Sequence, residues 1–326
     1  MTLLRDSPDD LFALVPLAAS HAGVPNPAFV EKEYWALEAL RSLQAPLDVD
    51  VTPLVIFKGG TSLSRALHLT RRFSDDVDVM LHYTGQFGKR ARDREILKPL
   101  IARAASDLNS AATLTEATVG MKRNARLTYP TRFDSGAHSP GVLIEMTLRG
   151  ADSLLPGTQL LPVQSYVGTY LDSFGENEFE DTQPFETLVL SPVRTLLEKV
   201  SLLHGKAVAW HSDGVHPTDV GRHYYDVHRL LTSSDVIEAL SRLTQQEFSD
   251  ICDAMDAATR DMRRTPPPRP AGGYALSPAF SLTDEFRALV DDELATAGGL
   301  VYDAMPSVEE CCARVRAHLA AFTIDA

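Results

Sequence analysis

The sequence predicts an α+β protein whose sheet lies in the first part of the chain and whose last third is mostly helical. Short apolar runs typical of buried strands occur at Val55–Phe57, Gly141–Leu148 and Thr187–Leu190. After Ser191-Pro192 the apolar residues recur at helical spacing, and serine followed by proline is a common helix start. We therefore expect two domains, residues 1–190 and residues 191–326.

The composition is that of a globular protein without a membrane segment. Of the 326 residues, 44% are hydrophobic and 23% are charged, which is ordinary for a folded chain. No apolar run approaches the roughly 20 residues of a membrane span, and the N-terminus lacks a signal-peptide pattern, so we expect a cytoplasmic protein. The net charge of −13 argues against a protein that coats nucleic acid, but it leaves room for a local basic patch.

Two helices are expected before the first strand. They cover Asp6–Ala22 and about Ala28–Leu43, and each carries apolar residues at helical spacing. The second helix contains the charged run Glu31-Lys32-Glu33 in its first half. We expect these charges to form a solvated face; the alternative is that Lys32 or Glu33 reaches an active site.

A glycine-rich turn, Lys58-Gly59-Gly60-Thr61-Ser62, follows the first strand and leads into a predicted helix over Thr61–Leu69. Glycines let the backbone turn tightly and approach a ligand closely. The first N–H groups of a helix have no intrahelical partners, and together with the helix dipole they favour an anion. The turn therefore indicates a polyphosphate site.

Asp76-Val77-Asp78 and Glu145 are the candidate metal ligands. In a strand, residues two apart share a face, so Asp76 and Asp78 project together while Val77 points into the core. Two neighbouring carboxylates repel each other, and a bound Mg²⁺ relieves that repulsion. Glu145 interrupts an apolar strand and is costly to bury without a cation, so we expect a third metal-facing carboxylate; the alternative is an outward-facing edge position.

The helical part supplies further candidates. Lys199 lies in an otherwise apolar helix and either reaches solvent or neutralises a triphosphate. Residues 205–221 predict a mobile loop, because they are rich in glycine, histidine and proline. A helix then restarts, in which Arg222 and Asp226 share one face at a spacing of four residues.

Two basic segments are candidate RNA contacts. Lys89–Leu108 predicts a basic helix, either an exposed amphipathic helix or a surface that meets RNA phosphates. Arg260–Tyr274 is rich in proline and arginine and is either a rigid connector or a substrate-facing arm. In the second case Arg263, Arg264 and Arg269 contact phosphates and Tyr274 stacks on a base.

Four segments resemble, in the same order, motifs of the AbiEii/AbiGii nucleotidyltransferase toxins, which include the MenT toxins. The segments are Lys58–Leu63, Arg72–Asp78, Leu190–Lys199 and Arg222–Asp226, and Glu31–Trp35 is similar to a further motif. The resemblance implies a polymerase-β-like nucleotidyltransferase fold for residues 1–190. It also implies that the helical domain, residues 191–326, contributes Lys199 and Asp226 to the active-site cleft.

The resemblance assigns roles to the candidate residues. Asp76 and Asp78 are expected to hold Mg²⁺ or Mn²⁺, and Lys199 and Asp226 to act at the triphosphate. Apart from the resemblance, we expect Glu145 either to help deprotonate the attacking hydroxyl or to hold a second metal. Ser74 matches a position where family toxins are phosphorylated, and a phosphate there places about −1.5 to −2 charge against the aspartates. The predicted contacts to the nucleoside triphosphate, CTP or UTP in preference, are Lys58, Gly59, Gly60, Thr61, Ser62 and Arg222.

The function implied by the resemblance is that of a toxin in a toxin–antitoxin system. Such an enzyme transfers a nucleotide, a pyrimidine in the MenT group, to the 3′ acceptor end of tRNA and so blocks translation. The expected partners are tRNA and an antitoxin encoded nearby, without a membrane. The alternatives are transfer to a protein or small-molecule hydroxyl, and a non-catalytic binding protein on the same fold. The last would be expected to lack the carboxylates, which are present here.

Overall fold

A computed structural model describes residues 2–133, 140–149, 157–175, 177–262 and 264–323. The chain divides into two compact units. Unit 1 comprises Met1–His68 and Phe73–Leu190, and unit 2 comprises Leu69–Arg72 and Ser191–Ala326.

Within the described residues of unit 1, seven strands form one mixed sheet. The strands are β1 (Leu54–Lys58), β2 (Asp76–His82), β3 (Ala112–Thr118), β4 (Lys122–Leu127), β5 (Val142–Arg149), β6 (Gln159–Val163) and β7 (Phe185–Val189). In space they follow the order β3-β4-β5-β2-β1-β7-β6. β2 runs parallel to β5 and β1 runs parallel to β7, whereas the other neighbours are antiparallel. The mixed sheet, followed by helices, confirms the α+β class.

Helices accompany the sheet in unit 1. They are α1 (Pro8–Ala22), α2 (Pro27–Gln44), α3 (Gly59–Arg65), α4 (Lys89–Arg92), α5 (Lys98–Asp107) and α6 (Tyr166–Phe174). A π-helical turn, Asp93–Leu97, joins α4 to α5, so the helix predicted over Lys89–Leu108 is one helical stretch. Ser165 caps α6 by accepting a hydrogen bond from the Gly168 N–H.

The charged run of α2 is buried, so the expected solvated face is wrong. Glu31, Lys32 and Glu33 are 3%, 0% and 4% exposed. Each is compensated by a group from another segment: Glu31 accepts from the Arg132 N–H at 3.0 Å, Lys32 Nζ lies 3.1 Å from Asp75 Oδ2, and Glu33 Oε1 lies 2.7 Å from Arg65 Nε. Burial of a charge is tolerated only with such a partner.

Unit 2 is helical throughout its regular elements. These are α7 (Pro192–Asp213), α8 (Gly221–Leu230), α9 (Ser234–Ser241), α10 (Gln245–Asp261), α11 (Asp284–Gly298) and α12 (Val308–Arg316). The predicted mobile loop over residues 205–221 is wrong in its first half, because α7 continues to Asp213 and ends at Gly214 with φ of 65°. Gly205 stays helical beside Pro267, whose Cγ would lie 3.3 Å from a Cβ there.

No helix in the described residues of either unit is long and apolar enough to cross a membrane. This agrees with the absence of a long apolar run in the sequence.

The ion pair of Glu33 with Arg65 allows a test of how strongly α2 depends on its buried charges. Replacing either residue alone by methionine leaves the other charge buried, and we expect each variant to lose about 3–5 kcal/mol in the free energy of unfolding. The double variant removes both charges and should lose less than the sum of the two by at least about 0.5 kcal/mol. Urea unfolding of the four proteins measures this, and additive losses would contradict the prediction.

Candidate active site

A row of polar side chains crosses adjacent strands of the sheet. It consists of Asn124 on β4, Glu145 on β5, Asp78 on β2 and Lys58 on β1, each in register with the next. Residues directly opposite one another on neighbouring strands project from the same face of a sheet. The strand order therefore gathers on one face residues that lie far apart in sequence.

The acidic strand has the predicted alternation. Val77 and Val79 are 0% exposed and point into the core, while Asp76 and Asp78 are half-buried on the opposite face. Asp76 lies opposite Leu143, two positions along β5 from Glu145. Three carboxylates thus occupy one face of two parallel strands.

Glu145 is the most perturbed of these carboxylates. It lies on β5, between β4 and β2, so the alternative of an edge position is wrong. Its burial, and next the charge of Asp78, raise the pKa of Glu145 to about 7, and a hydrogen bond joins the two carboxyl groups. Glu145 therefore keeps its proton to a higher pH than an exposed glutamate does while no cation is bound.

The residues present fit a hard divalent cation. In the part of the chain that the structure describes, no three Asp, Glu, His or Cys side chains form a preformed metal-binding group. Mg²⁺ does not need one, because it is usually held by one or two carboxylates, waters and substrate phosphates. Asp78 and Glu145, with Asp76 on the same face, offer oxygen ligands and an excess of negative charge for such binding.

The glycine turn is fitted closely to Asp78. Gly59 has φ of 78°, and a Cβ on it would lie 2.1 Å from Asp78 Oδ2. α3 begins at Gly59 and ends at Arg65, so it is shorter at its C-terminus than predicted. The Thr61 hydroxyl donates to the Asp76 carbonyl at 2.6 Å and the Ser62 hydroxyl donates to the Gly59 carbonyl at 2.9 Å. These hydroxyls fix the turn against the acidic strand.

A second charged cluster lies within unit 2. Asp226 is 0% exposed and accepts two hydrogen bonds from Arg72, from Nε at 2.6 Å and from Nη2 at 2.7 Å. Lys199 Nζ lies 2.6 Å from Asp226 Oδ2 and 3.4 Å from His223 Nδ1. Burial alone would raise the pKa of Asp226, but Arg72 and Lys199 outweigh it and hold that pKa below its usual range. Asp226 therefore stays ionised.

His223 completes this cluster as a neutral group. Burial, and next the charge of Lys199, hold the pKa of His223 well below its usual value. A neutral imidazole has one acceptor nitrogen, so Nδ1 accepts from the Lys199 ammonium. Lys199 is buried, and the alternative that it reaches solvent is wrong.

Arg222 lies on α8, four residues before Asp226, as the sequence predicts. It shares a helix with Asp226, yet Asp226 is bound by Arg72 and Lys199. Arg222 Nε is buried and makes no hydrogen bond within the described residues. Sequence spacing missed Arg72 as the partner because it lies 154 residues from Asp226.

The comparison with protein families identifies the chain. The model of the nucleotidyl transferase AbiEii toxin, Type IV toxin–antitoxin system, matches residues 41–303, which include the acidic strand and the buried cluster of unit 2. This chain belongs to the AbiEii nucleotidyltransferase toxin family. The family implies a nucleoside triphosphate substrate, a divalent metal and a cognate antitoxin for this AbiEii protein.

Among solved structures, the chain is similar to the nucleotidyltransferase toxin MenT4 from Mycobacterium tuberculosis H37Rv. The sequence identity is 14%, the alignment covers 94% of this chain and 98% of MenT4, and the TM-score is 0.48. The comparison with curated proteins finds no match.

The arginine- and proline-rich segment of this AbiEii protein packs on unit 2, which favours the connector interpretation. Arg269 Nη2 lies 2.6 Å from Asp253 Oδ1 and 2.8 Å from Asp256 Oδ2, and Tyr274 is only 2% exposed. Stacking of Tyr274 on a base is therefore wrong. Arg264 is exposed, and Arg263 lies outside the described residues.

Several basic side chains of the Lys89–Leu108 stretch also make contacts within the protein. Arg92 donates to the Phe87 carbonyl, Arg103 donates to the Pro46 carbonyl, and Lys98 pairs with Asp93. These contacts favour the exposed amphipathic helix over an RNA-binding surface.

Gly59→Ala tests whether the turn and the acidic strand form one unit. The added Cβ would meet Asp78 Oδ2, and the positive φ is unfavourable for alanine, so we expect a loss of about 1–3 kcal/mol in the free energy of unfolding. Gly88→Ala is the matched control, since a Cβ there meets nothing within 4 Å. Urea unfolding of both variants checks this, and equal stabilities would contradict it.

Asp226→Asn tests the buried cluster of unit 2. Asparagine leaves Arg72 and Lys199 buried without a counter-charge, so we expect a loss of about 3–5 kcal/mol in the free energy of unfolding. The pKa of Asp226 is depressed, so its contribution is present above its unfolded pKa of about 3.9 and is lost as the pH falls below that value.

Unfolding measured from pH 7 to pH 3 should therefore show a difference between wild type and Asp226→Asn that shrinks in acid. Asp292→Asn, at an exposed position of α11, should match wild type throughout. A difference that stays constant with pH would show that the carboxylate charge of Asp226 is not the cause.

Proposed function

We propose that this AbiEii protein uses Mg²⁺ or Mn²⁺ to transfer a nucleoside monophosphate, from CTP or UTP in preference, to the 3′ acceptor end of tRNA. The observation that carries the metal-dependent chemistry is the Asp78–Glu145 carboxyl pair, with Asp76 on the same face and the Gly59 turn against Asp78. The resemblance of the sequence motifs to the MenT group supports the choice of tRNA and of a pyrimidine.

The carboxylate face supplies the groups that the transfer needs. Asp76 and Asp78 would hold the cation, which neutralises charge on the triphosphate when it is bound. The backbone N–H groups of Gly60, Thr61 and Ser62 bind phosphate oxygens, with Lys58 and Gly59 beside them. The hydroxyls of Thr61 and Ser62 already donate to backbone carbonyls, so we assign the backbone N–H groups, and not the hydroxyls, to the phosphates.

The bond changes of the proposed reaction are simple. The 3′-hydroxyl oxygen of the acceptor forms a bond to the α-phosphorus, the bond from that phosphorus to the bridging oxygen breaks, and pyrophosphate leaves. Glu145 accepts the proton of the attacking hydroxyl. The charge of a bound cation would lower the pKa of Glu145 from about 7, which leaves the carboxylate ionised and able to take this proton.

The assignments in unit 2 stay predictions from the family motifs. In them Lys199 neutralises the triphosphate, Arg222 contacts the nucleotide, and Asp226 acts close to the nucleotide; Asp226 Oδ2 lies 2.6 Å from Lys199 Nζ. RNA contacts by Arg263, Arg264 and Arg269 also stay a prediction. Phosphorylation at Ser74 would add negative charge beside Asp76, and detection of phosphoserine by mass spectrometry is its test.

The proposal is tested by incubating the protein with tRNA, Mg²⁺ and each nucleoside triphosphate labelled at its α-phosphate. We expect labelled tRNA, most strongly with CTP or UTP. Asp78→Asn should lower the transfer by a factor on the order of 100 or more, because it removes a metal-ligating charge. Asp292→Asn is the matched control and should retain wild-type transfer.

The alternatives are separated by the molecule that becomes labelled. Transfer to a protein or small molecule in a lysate, with unlabelled tRNA, would contradict the tRNA assignment and favour another hydroxyl acceptor. No labelled product with any nucleotide would favour a non-catalytic binding protein. Equal transfer by Asp78→Asn and wild type would show that the carboxylate face is not the active site.

A further inference from the structure

Asn124 is a buried polar residue next to the carboxylate pair that no sequence motif singled out. It lies in the middle of β4 and is 2% exposed. Its Nδ2 donates to Glu145 Oε1 at 2.7 Å. Asn124, Glu145 and Asp78 are in register on the successive strands β4, β5 and β2. The Asn124 amide therefore lies beside the carboxyl pair, on the β4 side of Glu145.

The amide oxygen of Asn124, Oδ1, is buried and lacks a hydrogen-bond donor within the described residues. A buried polar atom without a partner costs about 1–3 kcal/mol, so a strand position in a core is more cheaply filled by an apolar side chain. An unsatisfied oxygen beside an acidic centre is therefore a sign of a bound state that supplies a donor.

The basic side chains next to Asn124 on β4 do not supply a donor to its amide oxygen. Lys122, two residues before Asn124, directs its ammonium to Glu116, and Arg126, two residues after it, donates to the Pro140 carbonyl at 3.0 Å. The amide oxygen thus stays available, while the amide nitrogen is committed to Glu145.

We propose that Asn124 is a positioning residue of the carboxylate centre: its amide nitrogen fixes Glu145 beside Asp78, and its amide oxygen accepts a hydrogen bond from water on a bound divalent cation. This rests on the proposed function, in which the carboxylates bind such a cation. Mg²⁺ and its substitutes commonly keep several waters in protein sites. Groups that orient the ligands of a metal typically change its affinity by about 10–100-fold when they are replaced.

The direct test is Mn²⁺ binding, measured by calorimetry on the full chain without nucleotide. Asn124→Leu keeps the branching and the number of side-chain heavy atoms but has neither donor nor acceptor, and we expect it to weaken Mn²⁺ binding by about tenfold or more. Asn177→Leu is the matched control, because Asn177 also donates to a carboxylate, Asp172 at 2.6 Å, and should leave Mn²⁺ affinity unchanged. Asn124→Val, which suits a strand, is the second variant if leucine prevents folding, with the same expectation.

A double-mutant cycle with Glu145→Gln separates positioning from a general structural effect. If Asn124 acts through Glu145, the loss in the double variant is smaller than the product of the two single losses. A folded Asn124 variant that binds Mn²⁺ within twofold of wild type, or a loss in the double variant that equals the product, would overturn the role of Asn124. Wild-type protein that binds no Mn²⁺ would overturn cation binding by the carboxylates themselves and with it the role of Asn124, whereas the proposed transfer is tested separately by the labelling assay.

Discussion

The arrangement of unit 1 depends on the burial of three consecutive charges in α2. Glu31, Lys32 and Glu33 have almost no exposure, and an unpaired charge in such a place costs several kcal/mol. Each charge therefore requires its partner segment to stay in place. The partners are Arg132 of the segment after β4, Asp75 just before β2, and Arg65 at the end of α3. One helix thus fixes both the glycine turn and the acidic strand.

The same constraint acts on the residues that precede the acidic strand. Asp226 is fully buried and binds Arg72 through two hydrogen bonds, while Asp75 is bound by the buried Lys32. Arg72 and Asp75 are only three residues apart in the chain. Arg72 is thus bound within unit 2 and Asp75 within unit 1. The ion pair of Asp75 with Lys32 fixes the residue just before β2, so the start of β2 has little freedom to adopt another register.

Features that depend on local periodicity could be predicted from the sequence. Features that depend on pairing between residues far apart in the chain could not. The strand before the Gly59 turn, the alternation around Val77 and the helix start at Ser191-Pro192 follow from spacing and residue type, and all are confirmed. The burial of Lys32 could not be predicted, because a lysine on a helix has the same pattern whether it is solvated or paired across 43 residues. The same holds for Asn124, since strand register is not encoded in β4 alone.

The cross-strand row explains why the carboxylate centre is both stable and ready for a cation. Like charges directly opposite one another destabilise a sheet, so Glu145 opposite Asp78 is unfavourable in isolation. An amide donor from Asn124 flanks the pair on one side, and Lys58 lies in register with Asp78 on the other. Burial raises the pKa of Glu145 to about 7 and the charge of Asp78 adds to this, so repulsion between the two carboxylates remains. A divalent cation bound by both carboxylates would offset that repulsion, so cation binding and strand pairing favour the same arrangement of side chains.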